Sequence, residues 1–297
     1  MKNLVFFGLP GNEKLSDRLA KKMGAQMGQA TFRKFPDGES YIRIRSDVKH
    51  KSVVLVCTLH RPDEQFLLLY FLSQTAKSMG AKNVCLVAPY LAYMRQDKAF
   101  NQGEGITAQY FGKLISQSVD SIITIDPHLH RISSLSQVYQ IPNTVIHAGK
   151  EISEWIMKNV ENPVLIGPDA ESKQWVSDVA KKANAPYIIL QKIRLGDDEV
   201  KVSIPKVEQY KKATPVLVDD IISTGHTMLE TIAHLKEEGM KPPICIGVHA
   251  VFAGNSYQEI LKTNIERLVT CNTIPHPSNK IDLNEEIIKG IKNLVQT

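Results

Sequence analysis

Short β-branched runs alternating with longer amphipathic stretches constrain this chain more than anything else in it. Strand-like runs stand at Leu4–Phe7, Val53–Val56, Val84–Ala88, Ile122–Ile125, Val164–Ile166, Tyr187–Leu190, Val216–Val218 and Ile244–Val248. Between them lie helix-like stretches such as Phe66–Met79, Ala108–Ser118, Lys173–Ala183 and Met228–Glu238. This order predicts an α/β fold of mainly parallel sheets flanked by helices. Ligands of such sheets bind beyond the carboxyl ends of the strands. The residue after each apolar run is therefore where chemistry is expected.

Two stretches share a rhythm. Lys51–Val56 leads through a loop and helix to Met79–Lys82 and another strand, and Pro215–Val218 leads likewise to Gly239–Lys241 and another. That similarity fits a duplicated domain, and it equally fits the spacing common to all α/β units. The chain of 297 residues is long enough for two domains. Pro142 interrupts the pattern near Gln140–Asn143, so the domains are expected at 1–141 and 142–297, with the last helix a candidate to pack back on the first.

Composition narrows the function classes. An apolar fraction of 43% and a charged fraction of 23% describe a folded chain whose core needs no staples. The net charge of +5 is small and scattered, which argues against nucleic acid as a partner. Cys57, Cys85, Cys245 and Cys271 form no C-x-x-C pair, and they read as thiols of a reducing compartment. The apolar stretch Leu4–Leu9 is stopped by Pro10 and Gly11, so it reads as a first strand and not a signal peptide. No stretch reaches the ~18 apolar residues of a membrane span. A cytoplasmic location, away from membranes, is the expectation.

The strongest local signal runs from Val216 to Thr227. An apolar strand ends in Asp219 and Asp220, and Ser223, Thr224, Gly225 and Thr227 then open a helix. Backbone N–H groups at a helix start, joined by hydroxyls, form a phosphate cradle. Carboxylates beside it suit sugar hydroxyls, so the loop fits a phosphorylated polyol better than bare phosphate. A capped helix start with solvated acids is the plainer alternative, but two acids, three hydroxyls and a glycine in this order favour the ligand.

This loop resembles the phosphoribosyl-binding signature of phosphoribosyltransferases and of ribose-phosphate pyrophosphokinases. Five further segments resemble the second family. They are Phe35-Pro36-Asp37-Gly38-Glu39, Pro89-Tyr90-Leu91-Ala92-Tyr93-Met94-Arg95-Gln96-Asp97, Thr124-Ile125-Asp126-Pro127-His128, Gly167-Pro168-Asp169 and Lys192-Ile193-Arg194. The resemblance implies two tandem phosphoribosyltransferase-like domains, with ATP and ribose 5-phosphate as substrates and Mg²⁺ as cofactor. It implies that Phe35, Asp37, Glu39, Arg95, Gln96, Asp97 and His128 bind ATP. Asp219, Asp220, Ser223, Thr224, Gly225 and Thr227 would bind ribose 5-phosphate. His128 and Asp169 would hold the metal, with His130 the second choice to His128, and Lys192 and Arg194 would act on the transferring group. It also implies a homodimer or higher homo-oligomer, in which one subunit's adenine segment completes a neighbour's site.

The residues themselves fit these tasks. Phe35 offers a face to a purine, although Pro36-Asp37-Gly38 is also simply a good turn. Arg95 can grip phosphate with a planar fork, and alternation puts Lys192 and Arg194 on one side of an extended segment. Gly103-Glu104-Gly105-Ile106-Thr107-Ala108 matches a dinucleotide fingerprint, but no strand is expected before it, so that reading is rejected. Several positions depart from the family pattern. His226 replaces a glycine, Ser223 stands where many relatives carry an acid, and Lys98 alone follows Asp97. Leu59-His60-Arg61-Pro62-Asp63 is unlike the serine-rich loop that serves regulatory phosphate and ADP in many relatives. A phosphoribosyltransferase and a non-catalytic, synthase-like regulatory subunit are the alternatives.

Overall fold

The computed structural model describes residues 3–129, 131–170, 172–194, 200–203 and 207–295. The chain divides into one unit of Met1–Ile146 with Asn284–Thr297 and a second of His147–Leu283. The first contains β1 (Leu4–Gly8), α1 (Glu13–Met23), β2 (Gln26–Met27), β3 (Ala30–Lys34), β4 (Ser40–Ile44), β5 (Ser52–Val56), α2 (Pro62–Ser78), β6 (Asn83–Ala88), α3 (Thr107–Ser118), β7 (Ser121–Ile125) and β8 (Asn143–Ile146). The second contains α4 (Gly149–Asn159), β9 (Pro163–Gly167), α5 (Lys173–Lys182), β10 (Tyr187–Ile189), β11 (Gln191–Arg194), β12 (Val200–Ser203), β13 (Thr214–Ile222), α6 (His226–Glu237), β14 (Ile244–Ala250), α7 (Ser256–Leu261), β15 (Arg267–Cys271) and β16 (Asn279–Ile281). The last helix, α8 (Asn284–Val295), belongs to the first unit.

Each unit has a six-stranded parallel sheet, in the orders β2-β1-β5-β6-β7-β8 and β10-β9-β13-β14-β15-β16. Each also carries a two-stranded antiparallel ribbon at the same point in its order, β3–β4 in one and β11–β12 in the other. A rhythm common to all α/β units would not repeat that ribbon, so the two halves repeat one topology. The sequence pattern alone left this open. The helices closing the two sheets are exchanged along the chain. The helix after β8, α4, packs on α5 and β16 in the second unit, while α8, after β16, packs on α1, β7 and β8 in the first.

Local chemistry explains these elements. Val53–Val56 of β5 are fully buried, as a central parallel strand covered on both faces must be. In α1 Ser16, Leu19, Ala20 and Met23 face inward, Lys21 and Lys22 sit at the negative end of the helix dipole, and Gly24 closes it in a left-handed conformation. In α8 Ile287, Ile288 and Ile291 are buried, and Gly290 lets the helix approach Ile123 and Ile146. Among the described residues no helix is long and apolar enough to cross a membrane.

Ile291→Ala should therefore loosen the first unit although it lies near the chain's end. A loss of about 2–5 kcal/mol is expected, read in a denaturant titration. Both tryptophans, Trp155 and Trp175, lie in the second unit. Far-UV circular dichroism should accordingly fall at lower denaturant than tryptophan fluorescence changes.

Candidate active site

In the second sheet β9 runs on to β10 in one direction and β13 to β14 in the other, so the order reverses between β9 and β13. A crevice opens at such a reversal, beyond the carboxyl ends of the strands. β13 pairs with β9 only as far as Leu217↔Ile166, but with β14 out to Ile222↔Ala250. The strand therefore does not end at Val218: the β14 ladder carries it through Asp219 and Asp220 to Ile222. Both acids stand where β13 has outrun β9.

Gly167 ends β9, and the chain turns away through Pro168 and Asp169. A side chain at Gly167 would meet Ile189 Cδ1 at 2.6 Å and Ser172 Oγ at 2.7 Å, so one could enter this turn only by displacing both. The Asp169 carboxylate is fixed by the Ser172 N–H, which donates to Oδ1 at 2.9 Å. Asp219 Oδ1 accepts from the Asp220 N–H at 3.0 Å. Burial raises the Asp219 carboxyl well above the ordinary carboxylate range, and the charge of Asp220, hydrogen bonding to its carboxyl and the charge of Asp169 raise it further. Three acids thus converge on the crevice.

The loop after β13 is held from behind. Phe252 N–H donates to Ile222 O at 2.9 Å, Ala253 N–H to Ser223 O at 3.1 Å, and Ser256 Oγ–H to the same carbonyl at 2.8 Å. Gly225 has φ +75° and opens α6, whose start has no side-chain cap and no acid in its first turn. The first amides of a helix have no intrahelical partner, and at α6 they stand next in sequence to Ser223, Thr224 and Thr227. His226 Nε2 lies 3.0 Å from Glu230 Oε1, which draws its ring along the helix.

The equivalent reversal in the first unit, between β1 and β5, is filled. Thr58 N–H donates to Asn12 Oδ1 at 2.9 Å, and Leu9, Cys57 and Leu59 are buried around it. Its candidate residues lie elsewhere. Phe35, 38% exposed, stands at the tip of the β3–β4 ribbon, where its N–H donates to Glu39 O at 2.8 Å and the Glu39 N–H donates to Asp37 Oδ1 at 3.1 Å. Arg33 Cζ lies 4.5 Å from the centre of Phe35 and 4.1 Å from that of Tyr41, its cross-strand partner. The guanidinium covers one face of Phe35. Sequence reasoning missed Arg33 and Tyr41, whose relation to Phe35 follows only once strand register is known.

Arg95, Gln96 and Asp97 follow β6, and His128 follows β7, the neighbouring strand. Arg95 is exposed, whereas Gln96 Nε2 reaches Glu104 Oε2 at 3.5 Å and Asp97 accepts from Arg131. Neither Glu104 nor Arg131 was expected to take part. Asp126 and His128 hold φ of +33° and +54°, the strained backbone that clusters at functional sites. His130 lies outside the described residues. Lys192 and Arg194 do not end the parallel strand begun at Tyr187. They stand one strand further on, in β11, opposite Val202 and Val200 of β12, because the chain leaves the sheet after Ile189. Their side chains lie outside the described residues. The Gly103–Ala108 segment follows a loop and not a strand, since β6 ends at Ala88.

Comparison with known proteins places this arrangement. The family model for the N-terminal domain of ribose phosphate pyrophosphokinase matches residues 4–118, and that for the phosphoribosyl transferase domain matches residues 134–285. A ribose-phosphate pyrophosphokinase of Methanopyrus kandleri is 30% identical over 284 residues, covering 95% of this chain and 96% of that protein. The chain belongs to the ribose-phosphate pyrophosphokinase family. Another member, from Sulfurisphaera tokodaii, is 30% identical over 94% of this chain and 96% of its own. The crystal structure of phosphoribosylpyrophosphate synthetase from Mycobacterium smegmatis shares the fold, with a TM-score of 0.86 over 99% of each chain at 23% identity. The match of the first half to a pyrophosphokinase domain separates this family from phosphoribosyltransferases.

Asp219 supplies a pH test with a definite sign. Its carboxyl binds a proton more tightly when folded than when unfolded. The stability this gives is complete below the unfolded value and is lost as pH rises through the folded one. Asp219→Asn should therefore melt above the parent at neutral pH, and the difference should vanish on acidification. Thermal melts of both proteins from acid to neutral pH, without ligand, test this. A constant offset across the range would show that Asp219 is not the group responsible.

Proposed function

We propose that this enzyme transfers the pyrophosphoryl group of ATP to the 1-hydroxyl of ribose 5-phosphate, giving phosphoribosyl pyrophosphate and AMP. The observation that carries the reading is the acidic crevice between β9 and β13, set beside the uncapped start of α6. Asp219 and Asp220 accept from the 2- and 3-hydroxyls of the sugar. Ser223, Thr224, Gly225 and Thr227 hold its 5-phosphate. Hydroxyl donors relieve the mutual repulsion of the acids, which bare phosphate would worsen.

Phe35, Asp37, Glu39, Arg95, Gln96, Asp97 and His128 make up the ATP site. Arg33 covers one face of Phe35, so the purine takes the other. The exposed ribbon tip serves a neighbouring subunit's site, which makes a homodimer the smallest active assembly. The sugar's 1-oxygen attacks the β-phosphorus in line, the bond from that phosphorus to the α-phosphate oxygen breaks, and AMP leaves. The hydroxyl proton passes to water, with no general base assigned. Lys192 and Arg194 close over the transferring group and neutralise its charge, the main requirement of phosphoryl transfer.

The crevice acids suit a divalent cation, since Asp219 is buried and the charges of Asp220 and Asp169 act on it at close range. Mg²⁺ keeps much of its water and is commonly bound through substrate phosphates with few protein ligands. His128 in the first unit and Asp169 in the second are each proposed as metal-binding residues, directly or through water. When bound, Mg²⁺ would neutralise and orient the phosphates of ATP.

AMP release from the purified protein with ATP and Mg²⁺ tests the reading. AMP should appear only with ribose 5-phosphate, matched by phosphoribosyl pyrophosphate. Binding of both substrates without AMP would indicate a regulatory subunit instead. Lys192→Ala should lower turnover by at least about 10³-fold while ATP still binds in calorimetry. Asp220→Asn should weaken ribose 5-phosphate far more than ATP, and the reverse would mean the substrates are misplaced.

A further inference from the structure

The turn after β6 and the loop after β7 are joined by one ion pair. Arg131 Nη1 donates to Asp97 Oδ1 at 3.2 Å and to Oδ2 at 3.4 Å. The Asp97 side chain is only 3% exposed and that of Arg131 is 43% exposed. A carboxylate so enclosed is costly to leave without an ion-pair or hydrogen-bond partner. The surroundings are ordered by a second acid. Glu104 accepts from the N–H groups of Phe100 and Asn101 at 2.8 and 3.0 Å, and from Gln96 Nε2. The Phe100 ring lies below both cations, 5.1 Å from Lys98 Nζ and 5.7 Å from Arg131 Cζ.

We propose that Arg131 is a positioning residue for ATP: it holds the Asp97 carboxylate and cancels its charge, so that the turn offers a triphosphate the net positive charge of Arg95 and Lys98. The proposal rests on the reading of Arg95–Asp97 as an ATP segment and adds the residue that makes it work. Without Arg131 two effects act in the same direction. The carboxylate is freed to leave its place and disturb Arg95, two residues away. It also repels a polyanion at short range, where little water screens it. Because β6 and β7 are neighbours in one sheet, a cation on the β7 loop reaches the β6 turn over a short span. The same contact ties Asp97 to the strained loop that carries His128.

Steady-state kinetics with each substrate varied in turn test this on the full-length enzyme, for the parent, Arg131→Ala, Arg131→Lys, Asp97→Asn and the double variant Asp97→Asn with Arg131→Ala. Arg131→Ala should raise the KM for ATP about tenfold and leave that for ribose 5-phosphate within about twofold. Arg131→Lys should recover part of the loss, and it carries the comparison if the alanine variant does not fold. In the double variant the two effects should overlap, since removing the buried charge removes the need for its partner. An unchanged KM for ATP, equal rises for both substrates, or effects that simply multiply would each overturn the proposal. A parent that releases no sugar-dependent AMP would sink the functional reading itself, and the proposal with it.

Discussion

A parallel strand that outruns its neighbour must do something with the backbone and side chains it leaves uncovered. In this protein β13 runs past β9 by the length of the Asp219–Ile222 segment. The equivalent point of the first unit has no such overhang, because β5 ends level with β1 and Asn12 and Leu59 close the gap beyond them. On the β13 overhang the chain places acids. That choice sets the charge of the crevice.

The choice works against the unliganded fold. Three neighbouring acids, one of them raised well above its usual range, lower stability whenever no cation or hydroxyl donor answers them. Strain sits elsewhere in the same way: Tyr93, Asp126 and His128 adopt positive φ at the ends of β6 and β7. The sheets can carry these costs because β5 and β13 are enclosed by apolar residues along most of their length. Stability and chemistry therefore occupy opposite ends of the same strands.

The central strands were legible in the sequence because each is a continuous apolar run between breakers, and β5, β6, β7, β9 and β14 lie where those runs stand. The ribbons were not legible. Alternation in β3–β4 is blurred by Arg33, Lys34 and Arg43, and β11–β12 mixes Lys192, Arg194 and Lys201 with isolated valines. Such strands are defined by their partner and not by their own pattern. The strand limit at Val218 was misjudged for a related reason, since carboxylates normally signal a loop. Sequence motifs singled out the Ser223–Thr227 loop, the Phe35–Glu39 segment and the Arg95–Asp97 turn, but not the side chains that support the last two. Arg33 supports Phe35 across a strand pair, and Arg131 supports Asp97 across two loops. Neither relation can be read without the fold that creates it.

The exchange of closing helices bears on how the protein is made. Translation delivers the first sheet complete through β8, but α8, which covers part of it, is the last described element to leave the ribosome. Nascent domains usually fold in order as they emerge. Here the earlier unit must wait, with the face around Ile123 and Ile146 uncovered, until the later one has been synthesised. That interval is a window for chaperone binding or misassembly. It follows from connectivity alone, and it would open in any relative whose two halves trade their final helix.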